Sequence, residues 1–284
     1  IIALVFGALA TGNSDDTWWV APLFYFMGVV AIIISGIMLK KTKLFAGEAT
    51  PFVMELPEYH MPTVKSVLLS MWERVKGYII KAGTIIFLST IVIWFLMNFG
   101  DAGDGFGLLD ADAPDYMDYS LMAGLGNLLA WIFAPLGFDT WQAAATTITG
   151  LVAKENVVAT VGIITQLSSY GESDPALWLG FGQMIGGGAA AISAFCAFNL
   201  LCAPCFAAMG TIRQQQASAK WFWITIGYLC GFAWCVGLMI YQFVGLATGE
   251  VGFNFWTIIA IAVAAARLFQ IFRPMPKHKD EQTK

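Results

Sequence analysis

Charge is what this sequence has least of. Asp, Glu, Lys and Arg together make up 12% of its 284 residues, about half the ~25% of a soluble domain. No Lys or Arg occurs between Lys81 and Lys154. The dipeptide Gly-Lys of a phosphate-binding Walker loop is absent, so no nucleotide site of that type is written here. There are two histidines, His60 and His278, both outside the apolar runs, which argues against a histidine metal centre within them. The five cysteines, Cys196, Cys202, Cys205, Cys230 and Cys235, all lie in apolar segments, so a secreted disulfide framework is not expected. Nothing suggests a nucleic-acid surface, and no nucleophile–base pair suggests an enzyme. A thiol oxidoreductase built on Cys202 and Cys205 would need a quinone or thioredoxin partner.

What is abundant is apolar surface: 58% of residues are hydrophobic and the mean hydropathy is +0.70. A water-soluble fold cannot bury that much. The expected class is all-α: a polytopic inner-membrane helical bundle with broken helices and a cytoplasmic interfacial amphipathic helix. The start, "IIALVFGALA", is too short to span and lacks the basic region of a signal peptide. It reads as a truncated helix, so 1–43 is taken as a cut span plus one transmembrane helix at 18–39. "KKTK" after that helix marks its cytoplasmic end.

The stretch 44–81 reads as a cytoplasmic linker, irregular around Gly47, Pro51, Pro57 and Pro62, followed by an interfacial helix over 62–80. There Val64, Val67, Leu68, Met71, Trp72 and Val75 recur at helical spacing opposite Lys65, Glu73, Arg74 and Lys76. It leads into a span at 82–99. Residues 100–119 hold six Asp and no basic residue, which reads as an acidic outside loop able to gather cations. Three crossings, some short or broken, are expected over 120–203 to reach Arg213 and Lys220 on the inside. Spans at 221–246 and 254–272 and a cytoplasmic tail at 273–284 complete the scheme. The tail is a solvated one rather than a lipid-binding patch. "GQMIGGGAAAISA" at 182–194, with Gly182 and Gly186 four apart, reads as close helix packing through small residues.

Two places carry chemistry. In "LLCAPCFAAMG", 200–210, Pro204 removes a donor and clashes with the preceding turn. A helix should end near Leu201 and restart over "AAMGTIRQQQ". Backbone unwound within a membrane is tolerated only against protein or a water-filled cavity, and transporters place ion sites at such breaks. The thiols of Cys205 and Cys202, the Met209 thioether and the Asn199 amide lie near this break, and sulfur donors suit soft metals. A lone C-x-x-C without a second pair is also consistent with small packing residues. In "AKEN", 153–156, Lys154 and Glu155 interrupt an apolar run. Charge at the centre of a membrane costs about 2.5–3.5 kcal/mol on insertion scales and marks function by default. Glu155 is a hard metal ligand by type and Lys154 an intramembrane counter-ion. The alternative is an ion pair that only fixes helix packing.

"PFVMELPEYHMP" with "WERVKGYIIKAGTII", then "GLVAKENVVAT", then "CAPCFAAMGTIRQQ" followed by "KW", resemble in order and spacing the ferrous iron transporter B (FeoB) family over about 45–245. The resemblance implies the C-terminal membrane portion of a bacterial inner-membrane Fe(II) importer, multi-pass, with a cytoplasmic C-terminus. The region 82–220 would hold the second of two gate-like repeats. The cytoplasmic G-protein domain would lie upstream, so this fragment itself would be no enzyme. Cys205 matches the Pro-Cys cysteine implicated in iron passage, and Glu155 the intramembrane Glu. Fe(2+) would be substrate, with no tightly bound cofactor. The partners would be the bilayer, the G domain of the same protein, a small cytoplasmic accessory protein and other copies of the chain. Asn156 and the absence of a Cys-rich tail depart from many members. The gate motif is shared with nucleoside transporters, which keeps a small-solute transporter as the alternative. A non-transporting assembly subunit, with Lys154 and Glu155 as helix bridges, is a third reading.

Overall fold

The computed structural model describes residues 19–42, 63–101, 105–110, 116–152, 154, 156–165, 175–186, 188–216 and 218–273. Among these, ten α-helices account for nearly all regular structure. α1 is Val20–Lys40 and α2 is Val64–Asn98. A two-stranded hairpin, β1 (Phe99–Asp101) and β2 (Phe106–Leu108), follows α2 in antiparallel register, with Gly100 opposite Gly107. Then come α3 (Leu121–Phe133), α4 (Trp141–Val152), α5 (Asn156–Ile164), α6 (Pro175–Met184), α7 (Ala189–Leu201), α8 (Phe206–Gln215), α9 (Ala219–Thr248) and α10 (Phe255–Phe272).

By length and composition α1, α2, α9 and α10 can each cross a membrane. Two bent pairs are long and apolar enough only when each is taken together, as a broken span or a re-entrant loop. Leu121–Leu136 with Trp141–Val152 turns through 99°, and α7 with α8 through 41°. None of the five helices between 120 and 203 exceeds 13 residues. At 1.5 Å per residue each is at most about 20 Å long, short of the ~30 Å hydrocarbon layer. The expected short and broken segments are therefore what this region contains.

The segments expected as an interfacial helix and as a span form one rod. α2 runs 35 residues without interruption, about 52 Å. Thr63 starts it by accepting from the Ser66 amide, and no proline occurs within it to break the ladder. Its first turns leave apolar Leu68 and Trp72 as exposed as charged Glu73 and Arg74. The acidic loop is also more ordered than expected: β1, β2 and a 3-10 turn at Tyr116–Tyr119 lie in it.

The core is built around α7. Ala190 to Phe198 are buried without exception, the mark of a helix enclosed on all sides. α7 lies along α9, the most extensive helix pairing among the described residues. Phe195 meets Phe138 and Phe181 edge-to-face, and Phe198 meets Phe133 the same way. Such aromatic pairs stabilise by about 0.5–1.5 kcal/mol beyond their buried area. Apolar side chains on the outside, such as Tyr25, Phe87, Trp131 and Phe272, stay exposed, as lipid-facing surface requires.

Gly186 acts differently from expectation. Gly186 falls beyond the end of α6 with φ +100°, 3.5 Å by its would-be Cβ from the Gly137 carbonyl. It is a left-handed turn residue rather than a helix-packing one, because only glycine enters that region without strain.

Candidate cation site at two helix breaks

The break after α7 falls where the sequence puts Pro204. α7 ends at Leu201, Cys202 to Cys205 are extended or irregular, and α8 begins at Phe206. In a continuous helix the Asn199 carbonyl would accept from residue 203 and the Leu200 carbonyl from residue 204. Pro204 has no N–H, and the extended Cys202 (φ −61°, ψ 168°) carries the chain away from the helix. The last intrahelical bond here is Cys202 N–H to the Phe198 carbonyl, 2.8 Å. The next two carbonyls are left without helical donors.

Lys154 fills that deficit. Its ammonium donates to the Asn199 carbonyl at 2.9 Å and to the Leu200 carbonyl at 3.4 Å. Lys154 itself sits in a second break, between α4 and α5, and its own carbonyl accepts from Val157 N–H. Two interrupted helices thus meet, and a cation from one break occupies the carbonyl end of the other. The negative end of the α7 dipole favours positive charge there. Gly150 of α4 faces the start of α5: a Cβ there would lie 3.0 Å from Val157 Cγ2, tighter than ordinary contact, and 3.6 Å from Asn199 Oδ1.

The opposite end of α7 is finished by a carboxylate. Glu250, in the turn after α9, accepts from the Ala189 and Ala190 amides, both at 3.1 Å. Gly188 leaves room for it, since a Cβ there would lie 2.5 Å from Glu250 Oε2. The central helix therefore carries an anion at its amide end and a cation at its carbonyl end, both from other elements. Sequence reading took the turn around Glu250 only as an outside connection. The available signal was that Glu250 is the lone acidic residue between Asp174 and Asp280.

The other expected ligands are distributed around the break. Asn199 turns its amide nitrogen back to the Phe195 carbonyl, 2.9 Å. Cys202 is buried and faces Cys230 of α9, with sulfur atoms 3.6 Å apart. Cys205 is half-buried at the N-cap of α8. Its carbonyl accepts from Met209 N–H at 2.9 Å and its thiol does not cap the helix. Met209 is partly buried against the core. Glu155 lies outside the described residues, as do His60 and His278. Among the described residues no three His, Cys, Asp or Glu converge into a group that could hold a metal ion. The arrangement offers backbone oxygens already satisfied by an ammonium, with sulfur atoms along the unwound segment beside them. Cys230 was missed, and its pairing has no signal in local spacing.

These features define a polytopic helical membrane protein whose centre is built from discontinuous helices, as in transporters. Residues 21–74 match the family described as "Ferrous iron transport protein B C terminus", and residues 79–218 match the one described as "Nucleoside recognition". The chain belongs to the ferrous iron transport protein B family, as its C-terminal membrane portion. It is 32% identical over 257 residues to the Fe(2+) transport protein A/Fe(2+) transporter FeoB fusion protein of Porphyromonas gingivalis, covering 77% of this chain and 30% of that protein. It is 32% identical over 220 residues to Fe(2+) transporter FeoB of Staphylococcus aureus, with 77% and 30% covered. With Fe(2+) transporter FeoB of Escherichia coli it shares 29% over 265 residues, with 77% and 33% covered. The chain spans about a third of the length of these relatives. No solved structure matches it.

Proposed function

We propose that this chain is the membrane portion of a bacterial inner-membrane importer of ferrous iron, with its C-terminus in the cytoplasm. One observation carries the reading: the carbonyls orphaned by Pro204 hold a primary ammonium, at 2.9 and 3.4 Å, where two broken helices meet. A gap in the membrane that binds one cation through oxygen is a place where another can bind in passage. The names of the relatives support Fe(2+) as the cargo. In this scheme the Asp-rich segment 100–119 raises the local cation concentration outside. Cys205, Cys202, Met209, Asn199 and Glu155 act as transient ligands along the break, held weakly enough for release. Transport rather than catalysis is the role of this portion. An upstream G-protein domain and a small accessory protein complete the working unit, the latter supported by the fused protein A of the Porphyromonas gingivalis relative.

The test is anaerobic uptake of radiolabelled Fe(II) by cells lacking other ferrous importers. The full-length protein is compared with its Cys205→Ser variant at matched membrane expression. Uptake is expected to fall. Normal uptake by the serine variant would remove the thiol from the path and leave the carbonyls and Glu155 as the ligands.

A second reading is a nucleoside or small-solute transporter, favoured by the description of the family matched at 79–218. It requires labelled nucleoside uptake that survives Cys205→Ser and is not competed by Fe(II).

A further inference from the structure

Cys202 and Cys230 are 28 residues apart in sequence, yet their sulfur atoms are 3.6 Å apart. They sit on parts of the molecule that differ in kind. Cys202 is the first residue of the unwound segment after α7, and Cys230 lies in the middle third of the long spanning helix α9. Both are free thiols, Cys202 buried and Cys230 partly exposed. The Ala203 backbone faces both sulfurs. A disulfide needs the sulfurs about 2.05 Å apart, an approach of about 1.6 Å from the present separation, which small χ1 rotations of two unbranched side chains can supply.

We propose that Cys202 and Cys230 are an oxidisable dithiol, and that the disulfide between them pins the unwound segment Cys202–Cys205 to α9 and closes the break to passage. The oxidant is a peroxide. One thiolate attacks a peroxide oxygen to give a sulfenic acid and hydroxide, which takes up the thiol proton to become water. The second sulfur then displaces a second water from the sulfenic sulfur and forms the S–S bond. The sum is two thiols and one hydrogen peroxide giving one disulfide and two waters, with the sulfurs oxidised and the peroxide reduced. Dithiol reductants reverse it by exchange. Cys230 is not among the residues invoked for passage, whereas Cys202 is, so the disulfide also withdraws one of those ligands; Cys205, at the start of α8, is left free. The closing effect rests on the transport reading, whereas formation of the bond does not.

The experiment uses the full-length protein in membrane vesicles, exposed to hydrogen peroxide under otherwise anaerobic conditions. Remaining thiols are alkylated and the digest is read by mass spectrometry. The expected product is a peptide pair cross-linked through Cys202 and Cys230, absent after dithiothreitol and absent in Cys230→Ser. In parallel, Fe(II) uptake by the wild type is expected to be lost on oxidation and to return on reduction. Uptake by Cys230→Ser or Cys230→Ala should be retained through the same treatment. Both cysteines recovered alkylated, or Cys202 recovered joined to Cys205 instead, overturns the pairing. A Cys202–Cys230 link without loss of uptake overturns the closing role. If the reduced wild type carries no Fe(II) but the link forms, the pairing stands and the transport reading and the closing role built on it fall.

Discussion

The Lys154 ammonium lies 2.9 Å from the Asn199 carbonyl oxygen and 3.4 Å from that of Leu200. These are the two carbonyls for which the extended backbone after Leu201 and the missing N–H of Pro204 leave no helical donor. A charged residue in the apolar run of α4–α5 is thus explained by a proline 50 positions later in the chain. Each feature would be costly alone, and together they satisfy one another.

Replacing Pro204 by Ala gives this position a backbone donor and lets the chain re-enter helix there. Pro204 lies in the extended segment between α7 and α8, so no helix-interior penalty is relieved, and the variant should melt no higher than the wild type while importing less Fe(II). Thermal unfolding of the detergent-solubilised full-length protein, paired with vesicle uptake, checks both. Unchanged uptake would mean that the bend is not needed for passage.

Lys154→Met leaves the two carbonyls without a donor. Both contacts are exposed, so a loss of about 0.5–1.5 kcal/mol, that of an ordinary hydrogen bond rather than of a buried orphan, is expected, read as a lower thermal midpoint. Lys154→Arg keeps a charged donor and should recover most of it. Equal loss in both variants would show that the length of the side chain, rather than its charge, is what the site demands.

Glu250→Gln keeps the size of the side chain but removes the charge at the amide end of α7. The expected loss is about 1 kcal/mol, typical of a charge at a helix terminus. Combined with Lys154→Met it should be additive to within ~0.5 kcal/mol, because the two act on opposite ends of a 13-residue helix. A large coupling in the double-mutant cycle would contradict independent capping.

Gln242 ties α9 to its neighbours from a fully buried position. It accepts from the Thr257 hydroxyl of α10 at 2.9 Å and donates to the Pro135 carbonyl at 3.5 Å. Gln242→Leu should destabilise by about 1–3 kcal/mol through the abandoned partners. Thr257 keeps its bonds with Asn254, so the loss should sit at the lower end. A stabilised variant would show that the amide is tolerated rather than required.

What the sequence determined by itself follows from local rules. The lack of charge and the long apolar runs set the membrane class. The runs at 18–39, 221–246 and 254–272 became α1, α9 and α10 within a few residues. Pro204 set the break between α7 and α8, since its effect is confined to its own turn. The continuity of α2 was not legible, because a change from amphipathic to apolar composition alters what a helix faces without ending it. Nor was the hairpin in the acidic loop, whose short strands carry little period-2 signal.

Only the tertiary structure decided which groups meet. Lys154 reaches across 45 residues to Asn199, Glu250 across 61 to Ala189, and Cys202 across 28 to Cys230. Side-chain spacing along one helix says which face a residue occupies. It does not say which other helix will lie against that face, and that depends on how α4, α7 and α9 pack as a set. The sequence marked Lys154 and Pro204 as two separate anomalies in an apolar chain, and the fold that brings the break after α4 to the carbonyl end of α7 made them one site.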